Sequence, residues 1–256
     1  MRRLALGLLF LLAIAAPAAA ETLVAAASPA QVRIEQDFSG AEITVFGTIE
    51  RDRAAISRAE AQQIAVTVFG PDERVVVRRK SRVAGIWINT ESQSFVGIPG
   101  FYAALTSVPL DDLGTPQALR QHRIGLDHLI TADPRGGEAS GGADEHAFRA
   151  ALVRNHVAGA VYVERPGGVE FLSPILFRAT IPLPARAPTG TYRIEVTLWQ
   201  GGVPLAETTA ALSVVKIGFE EWMVQSALNR PFLYGLGTVL VGLMAGWLAG
   251  VLFRRD

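Results

Sequence analysis

Pro188-Thr189-Gly190-Thr191-Tyr192-Arg193-Ile194-Glu195-Val196-Thr197-Leu198-Trp199, a turn at Gly201-Gly202, and a second run from Leu205 to Lys216 decide the reading of this chain. Two β-rich runs flank a glycine pair, which is the pattern of a hairpin. The Pro-x-Gly-x-Tyr approach puts Tyr192 at the opening of a late strand. Some β-sandwiches tie one corner with a tyrosine at that place.

Working towards the N-terminus, strand signals recur at Leu176–Ile181, Val169–Leu172 and Tyr162. Further back lie Gln31–Gln36, Ala41–Ile49 and Ile64–Phe69, each bounded by Gly, Pro, Asp or Ser. In Ala41–Ile49 the residues Ile43, Val45 and Gly47 face one way, and Thr44, Phe46 and Thr48 the other. Gly70-Pro71-Asp72 marks a turn. After it, Arg74–Arg79 and Arg82–Asn89 read as a hairpin around Lys80-Ser81, and residues 52–63 as a short connecting element.

Residues 111–160 differ in character. Thr115-Pro116 is a helix start, with Thr as the cap and Pro in the first turn. Leu119, Leu126, Leu129 and Ile130 are expected to share one face of that helix. A Gly-rich loop at 135–142 separates it from a second helix, Ala143–Val157, in which Glu145 and Arg149 stand four apart. The fold class expected is mainly β: an immunoglobulin-like β-sandwich over 21–218 with a helical insertion at about 111–160.

The two ends set the topology. Arg2 and Arg3 precede an apolar run from Leu4 to Ala16, and Ala18 and Ala20 suit a signal peptidase, so 1–20 reads as a cleaved leader. At 1.5 Å per residue its apolar core reaches only ~20 Å, short of the ~30 Å hydrocarbon layer. Residues 231–253 carry no charge and would span ~35 Å as a helix. Arg254 and Arg255 follow, which predicts a cytoplasmic tail at 254–256 and a periplasmic body held at a bacterial inner membrane by one transmembrane helix. Residues 219–230, with Trp222 and Met223, read as an amphipathic juxtamembrane segment. Thr238, Gly242, Gly246 and Gly250 recur every four residues and make a smooth stripe suited to helix packing, with a second copy or another membrane protein as partner.

Composition narrows the chemistry. There is no Cys, which removes disulfides, thiol nucleophiles and zinc-thiolate sites. Without the terminal Arg2, Arg3, Arg254, Arg255 and Asp256, 20 cations face 23 anions, so nucleic acid is not an expected partner. No nucleotide, hydrolase-elbow or zincin motif appears, so neither an enzymatic site nor a cofactor is expected. All four histidines, His122, His128, His146 and His156, fall in the insertion, where they are candidate metal ligands for a metal-dependent periplasmic hydrolase. Their spacings of six and ten residues do not stack either pair on one helix face. Arg78, Arg79, Lys80 and Arg82 put four cations within five residues, beside the aromatic residues Trp87, Phe95, Phe101 and Tyr102. The cations suit an anion or a headgroup, and on a hairpin they also guard a sheet edge. Together with Trp87, Phe101 and Tyr102 they form the expected anion or partner contact.

Several segments together resemble the alphaproteobacterial transmembrane protein family, a group of uncharacterised proteins. They are Phe38-Ser39-Gly40-Ala41-Glu42, Val45-Phe46-Gly47, Ile49-Glu50-Arg51, Arg78-Arg79-Lys80, Arg82 to Asn89, Pro99-Gly100-Phe101-Tyr102, Leu233-Tyr234-Gly235 and Gly246-Trp247-Leu248. The resemblance implies an inner-membrane protein with a periplasmic domain and no assigned chemistry. It also implies a neighbour among inner-membrane anion exporters of the sulfite-exporter type. The function expected is a membrane-anchored periplasmic binding or adaptor module, an accessory subunit of such a transporter. A metal-dependent hydrolase and a periplasmic ligand sensor are the alternatives.

Overall fold

A computed structural model of the chain describes residues 22–35, 38–50, 62–129 and 143–252. The expected leader at 1–20, most of the expected connecting element at 52–63, the expected loop at 135–142 and the expected tail at 254–256 lie outside the described residues.

Twelve strands are described: β1 (Thr22–Ser28), β2 (Gln31–Ile34), β3 (Gly40–Glu50), β4 (Gln63–Phe69), β5 (Asp72–Val83), β6 (Ile86–Pro99), β7 (Tyr102–Thr106), β8 (Tyr162–Pro166), β9 (Val169–Phe171), β10 (Leu176–Pro184), β11 (Gly190–Gln200) and β12 (Val203–Lys216). One sheet has the order β1-β3-β10-β9, a second β2-β12-β11-β4-β7-β8, and β5-β6 form a separate two-stranded arm. In immunoglobulin lettering the first sheet is A-B-E-D, and the second continues G-F-C-C′, the variable-type arrangement. The expected immunoglobulin-like sandwich is the fold. One departure is that β8 runs parallel to β7, Tyr102 pairing with Tyr162. Parallel neighbours need a long crossover, and the helical insertion supplies it.

Period-two alternation builds the core between the sheets. Ile43, Val45, Gly47 and Ile49 of β3 point inward, as their spacing predicts. Phe177, Ala179, Ile181 and Leu183 of β10 do the same. They meet Ile64, Val66 and Val68 of β4 and Tyr192, Ile194, Val196 and Leu198 of β11 in one buried cluster. Each large aliphatic side chain there contributes ~1.5–3 kcal/mol by leaving water. β4 and β7 are buried on both faces, and so read as nearly continuous apolar runs.

The insertion covers their outer face. It contains α1 (Leu110–Leu113), α2 (Pro116–Gln121), α3 (Leu126–Leu129) and α4 (Ala143–Ala158). Thr115 caps α2 by accepting from the Ala118 amide, with Pro116 in the first turn. Leu119 and Leu129 are both buried but do not share a face. Arg123 and Gly125 have positive φ and break the chain between them. Leu119 therefore packs with Leu113, Ile124 and Trp199, while Leu129 joins Phe69, Tyr102, Phe148, Leu152 and Tyr162.

The tyrosine corner forms as Tyr192 predicts. Its hydroxyl donates to the Pro188 carbonyl at 2.7 Å, and its ring lies 5.6 Å from that of Phe101. Tyr192→Phe is expected to cost ~1 kcal/mol, the net value of one such bond. Urea unfolding of the full chain in mild detergent would show a lower midpoint at an unchanged slope. An unaltered midpoint would mean that the corner contributes nothing.

Beyond β12 the chain enters α5 (Phe219–Asn229) and then α6 (Pro231–Leu252). α6 is long and apolar enough to cross a membrane: it has 22 residues, none of them buried, and an 18-residue stretch of mean hydropathy 1.9.

Candidate functional site

Apart from α6, a long stretch that the fold leaves open is the β5–β6 arm. Its base is anchored, with Val77, Phe95 and Ile98 packed with Phe148 and Leu152 of α4. Beyond the base the arm leaves the body, and nearly every side chain from Arg78 to Ser94 is exposed. The strands do not turn at Lys80-Ser81 as their sequence suggests. β5 continues to Val83, and the two-residue turn is Ala84-Gly85, with φ of 51° and 88°. A two-residue turn that follows strand twist needs positive φ at both positions, which glycine adopts freely. Lys80-Ser81 instead stays in the ladder, where the Ser81 hydroxyl meets that of Thr90 at 2.8 Å.

Register sorts the outer part of the arm. Val83 faces Ile86, Arg82 faces Trp87 and Ser81 faces Ile88, with a shift between Arg79 and Lys80. Arg79 is held by Glu91 and lies 5.5 Å over the Phe148 ring. Between residues 74 and 96 there are five cations and one anion. Near the base, Arg78, Arg79, Arg154 and Asn155 rim a cleft of about 340 Å³ whose floor includes Val77, Phe148 and Ala151. The arm is thus strongly cationic on a chain with no net charge.

Of the aromatic residues grouped with these cations, only Trp87 is accessible, at 68% exposure. Phe101 and Tyr102 must be removed from the contact set because both are fully buried. They start the strand that returns from the arm into the sheet, so one side chain faces the sandwich core and the other the insertion. The Tyr102 hydroxyl donates to the Arg123 carbonyl at 2.7 Å and accepts from the Gly125 amide at 2.9 Å, fixing the turn between α2 and α3. Burial pushes its ionisation well above the ordinary phenol range. Sequence reasoning missed Val83, Ile86 and Ile88, which are exposed with Trp87 at the tip. The Ala84-Gly85 pair was the signal that could have found them.

The histidines are in separate surroundings. His122 packs edge-on against Trp199 at 5.5 Å, with Nδ1 3.6 Å from Glu207. His156 stacks on Tyr162 at 4.5 Å, and its Nδ1 lies 2.9 Å from the Leu152 carbonyl. His128 is half-buried on α3, and His146 is exposed on α4. Among the described residues no three His, Asp or Glu side chains converge where a metal ion could sit.

Among the described residues nothing packs on the glycines of the small-residue stripe of α6. A Cβ placed on Gly242, Gly246 or Gly250 would meet nothing within 4 Å. Thr238 turns its hydroxyl back to the Gly235 carbonyl at 2.8 Å, leaving a low profile on that face.

The family described as "Putative transmembrane protein (Alph_Pro_TM)" matches residues 22–255. The chain belongs to this family. In this Alph_Pro_TM member α6, near the C-terminus, is the candidate transmembrane helix. The match covers the sandwich, the arm, the insertion and the span together. No curated protein matches the chain.

Proposed function

We propose that this protein is an exported binding module: a sandwich held in the periplasm by one inner-membrane helix, serving as accessory subunit to an anion transporter of that membrane. The observation that carries the reading is the direct joining of a variable-type sandwich to a single apolar helix through one short helical link. Such sandwiches bind through loops and edges, and this one extends a long arm from an inner strand of its second sheet. The apolar start of the chain, the span and the arginines after it support the periplasmic placement. The unpartnered face of α6 suits close approach of a transporter helix.

Cross-linking and mild-detergent pull-down of the intact chain are expected to recover a membrane transporter. A chain ending at Ser226 should lose it or hold it far more weakly. Recovery of no membrane protein by either chain would defeat the adaptor reading. Alkaline phosphatase fused after Lys216 is expected to be active; an inactive fusion would place the body on the other side.

A further inference from the structure

The arm leaves the sandwich at the end that faces the membrane span. β4 is antiparallel to β11 and β11 to β12, so β4 and β12 run in the same direction. Phe69 at the end of β4 pairs with Arg193, Arg193 pairs with Ala211, and β12 then runs on to Lys216. The arm starts at Asp72, just past Phe69, and α5 starts at Phe219, just past Lys216, with α6 following it at Pro231. Both therefore depart from one end of the sandwich, and the Gly201-Gly202 turn marks the other.

Length permits contact. The 12 residues of β5 reach ~40 Å at ~3.3 Å each. The 11 helical residues of α5, between body and span, cover only ~16 Å. An arm of that length is long enough to reach the plane where α6 begins, even when it is aslant.

The order of side chains along the arm is that of a bilayer surface. At the tip, Val83, Ile86, Trp87 and Ile88 are all exposed, Ile86 at 64% and Trp87 at 68%. Arg82 stands level with Trp87 and Ser81 level with Ile88, and Lys80 and Arg78 follow behind them. Protection of a sheet edge accounts for the cations but leaves four large apolar side chains in water, which it does not explain. Trp and aliphatic residues partition into the interface, and Arg and Lys beside and behind them meet anionic headgroups.

From this arrangement we propose that the tip of the β5–β6 arm is a second membrane contact. Val83, Ile86, Trp87 and Ile88 enter the lipid interface, while Arg78, Lys80 and Arg82 hold anionic phospholipid headgroups. The body is then fixed to the membrane at two points, the span and the arm, which restrains its rotation about the link. The proposal rests on the single-span reading of α6, but not on the adaptor role.

The chain has no cysteine, so one introduced thiol can be labelled uniquely. Ile86→Cys and, on the other strand, Val83→Cys would carry an environment-sensitive fluorophore; Val203→Cys beside the far turn is the control. The full chain is reconstituted in phosphatidylcholine vesicles with or without phosphatidylglycerol, identical in both leaflets so that orientation does not matter. With the anionic lipid, labels at 83 and 86 are expected to shift to the blue. Doxyl-lipid should quench them several-fold more than the label at 203. Replacing Arg78, Lys80 and Arg82 together by Glu should return them to an aqueous signal. Labels at 83 and 86 as aqueous as that at 203 would overturn the proposal. So would labels that become dry only in native membranes, since these would point to a protein partner. Vesicles contain no transporter, so failure of the pull-down and failure of this measurement are separate results.

Discussion

Gly47→Val is expected to cost roughly 3 kcal/mol, enough to leave the sandwich largely unfolded under conditions the unaltered chain tolerates. Gly47 lies in the middle of β3, with Ala25 of β1 on one side and Phe177 of β10 on the other. The Phe177 ring lies over the glycine. A Cβ there would come within 2.2 Å of Cζ, 2.6 Å of Cε1 and 2.9 Å of the Val24 carbonyl oxygen. The ring cannot swing aside cheaply, because Phe177 is fully buried and its outer neighbour is the ring of Phe171 at 6.4 Å. Val24 O belongs to the backbone of β1, so it moves only if the sheet moves. Close-packed interiors resist such insertion. Urea unfolding of the full chain in mild detergent measures the loss. A second pair of variants isolates the cause: Gly47→Ala should be markedly less harmful when combined with Phe177→Leu. The two effects would be non-additive because the residues touch. A Gly47→Val midpoint equal to that of the unaltered chain would refute the packing of β10 on β3.

What the sequence disclosed about the fold was what neighbouring residues decide among themselves. The Gly201-Gly202 turn, the alternation in β3 and the placing of Tyr192 are local patterns, and the structure shows each of them. The cap at Thr115 and the Glu145–Arg149 pair are local as well. β1 escaped notice because Thr22–Ser28 is Ala-rich and follows another apolar, Ala-rich run of sequence; its strand conformation comes from pairing with β3. The parallel pairing of β7 with β8 joins residues about 60 apart, and no spacing in the sequence encodes it. Of the candidate site, the cations were legible as a cluster but the contact surface was not. Trp87, Phe101 and Tyr102 belong to one aromatic-rich stretch, and only the departure of the arm separates the first from the other two. The histidines cluster in sequence yet lie on helices and turns that point them into different surroundings.

Raising the pH is expected to unfold the sandwich cooperatively, with a dependence set by three buried tyrosines. Tyr102, Tyr162 and Tyr192 are each at most 2% exposed. For all three, burial raises the phenol above its ordinary value of 10.0. The Glu73 carboxylate adds to the rise at Tyr162 and Tyr192. For Tyr102 the Gly125 amide works against the rise without cancelling it. Above pH ~10 the unfolded chain releases these protons while the folded chain keeps them, so stability is full below that point and falls as pH climbs. Each tyrosine contributes a slope of ~1.4 kcal/mol per pH unit, and the three together ~4. A domain of ordinary stability, ~5–15 kcal/mol, would be exhausted within roughly one to four pH units. Ultraviolet absorbance of tyrosinate and near-ultraviolet circular dichroism, recorded on the same samples, should change in one shared transition. Tyr162→Phe should reduce the steepness by about a third, since one of the three proton releases that accompany unfolding is removed. Its hydroxyl also donates to the Pro99 carbonyl at 2.8 Å, so the starting stability falls as well, and slope rather than midpoint is the discriminating quantity. Phenols that ionised one after another near pH 10, with the dichroism intact, would show that these rings are open to water and that the packing of the insertion on β7 and β8 is wrong.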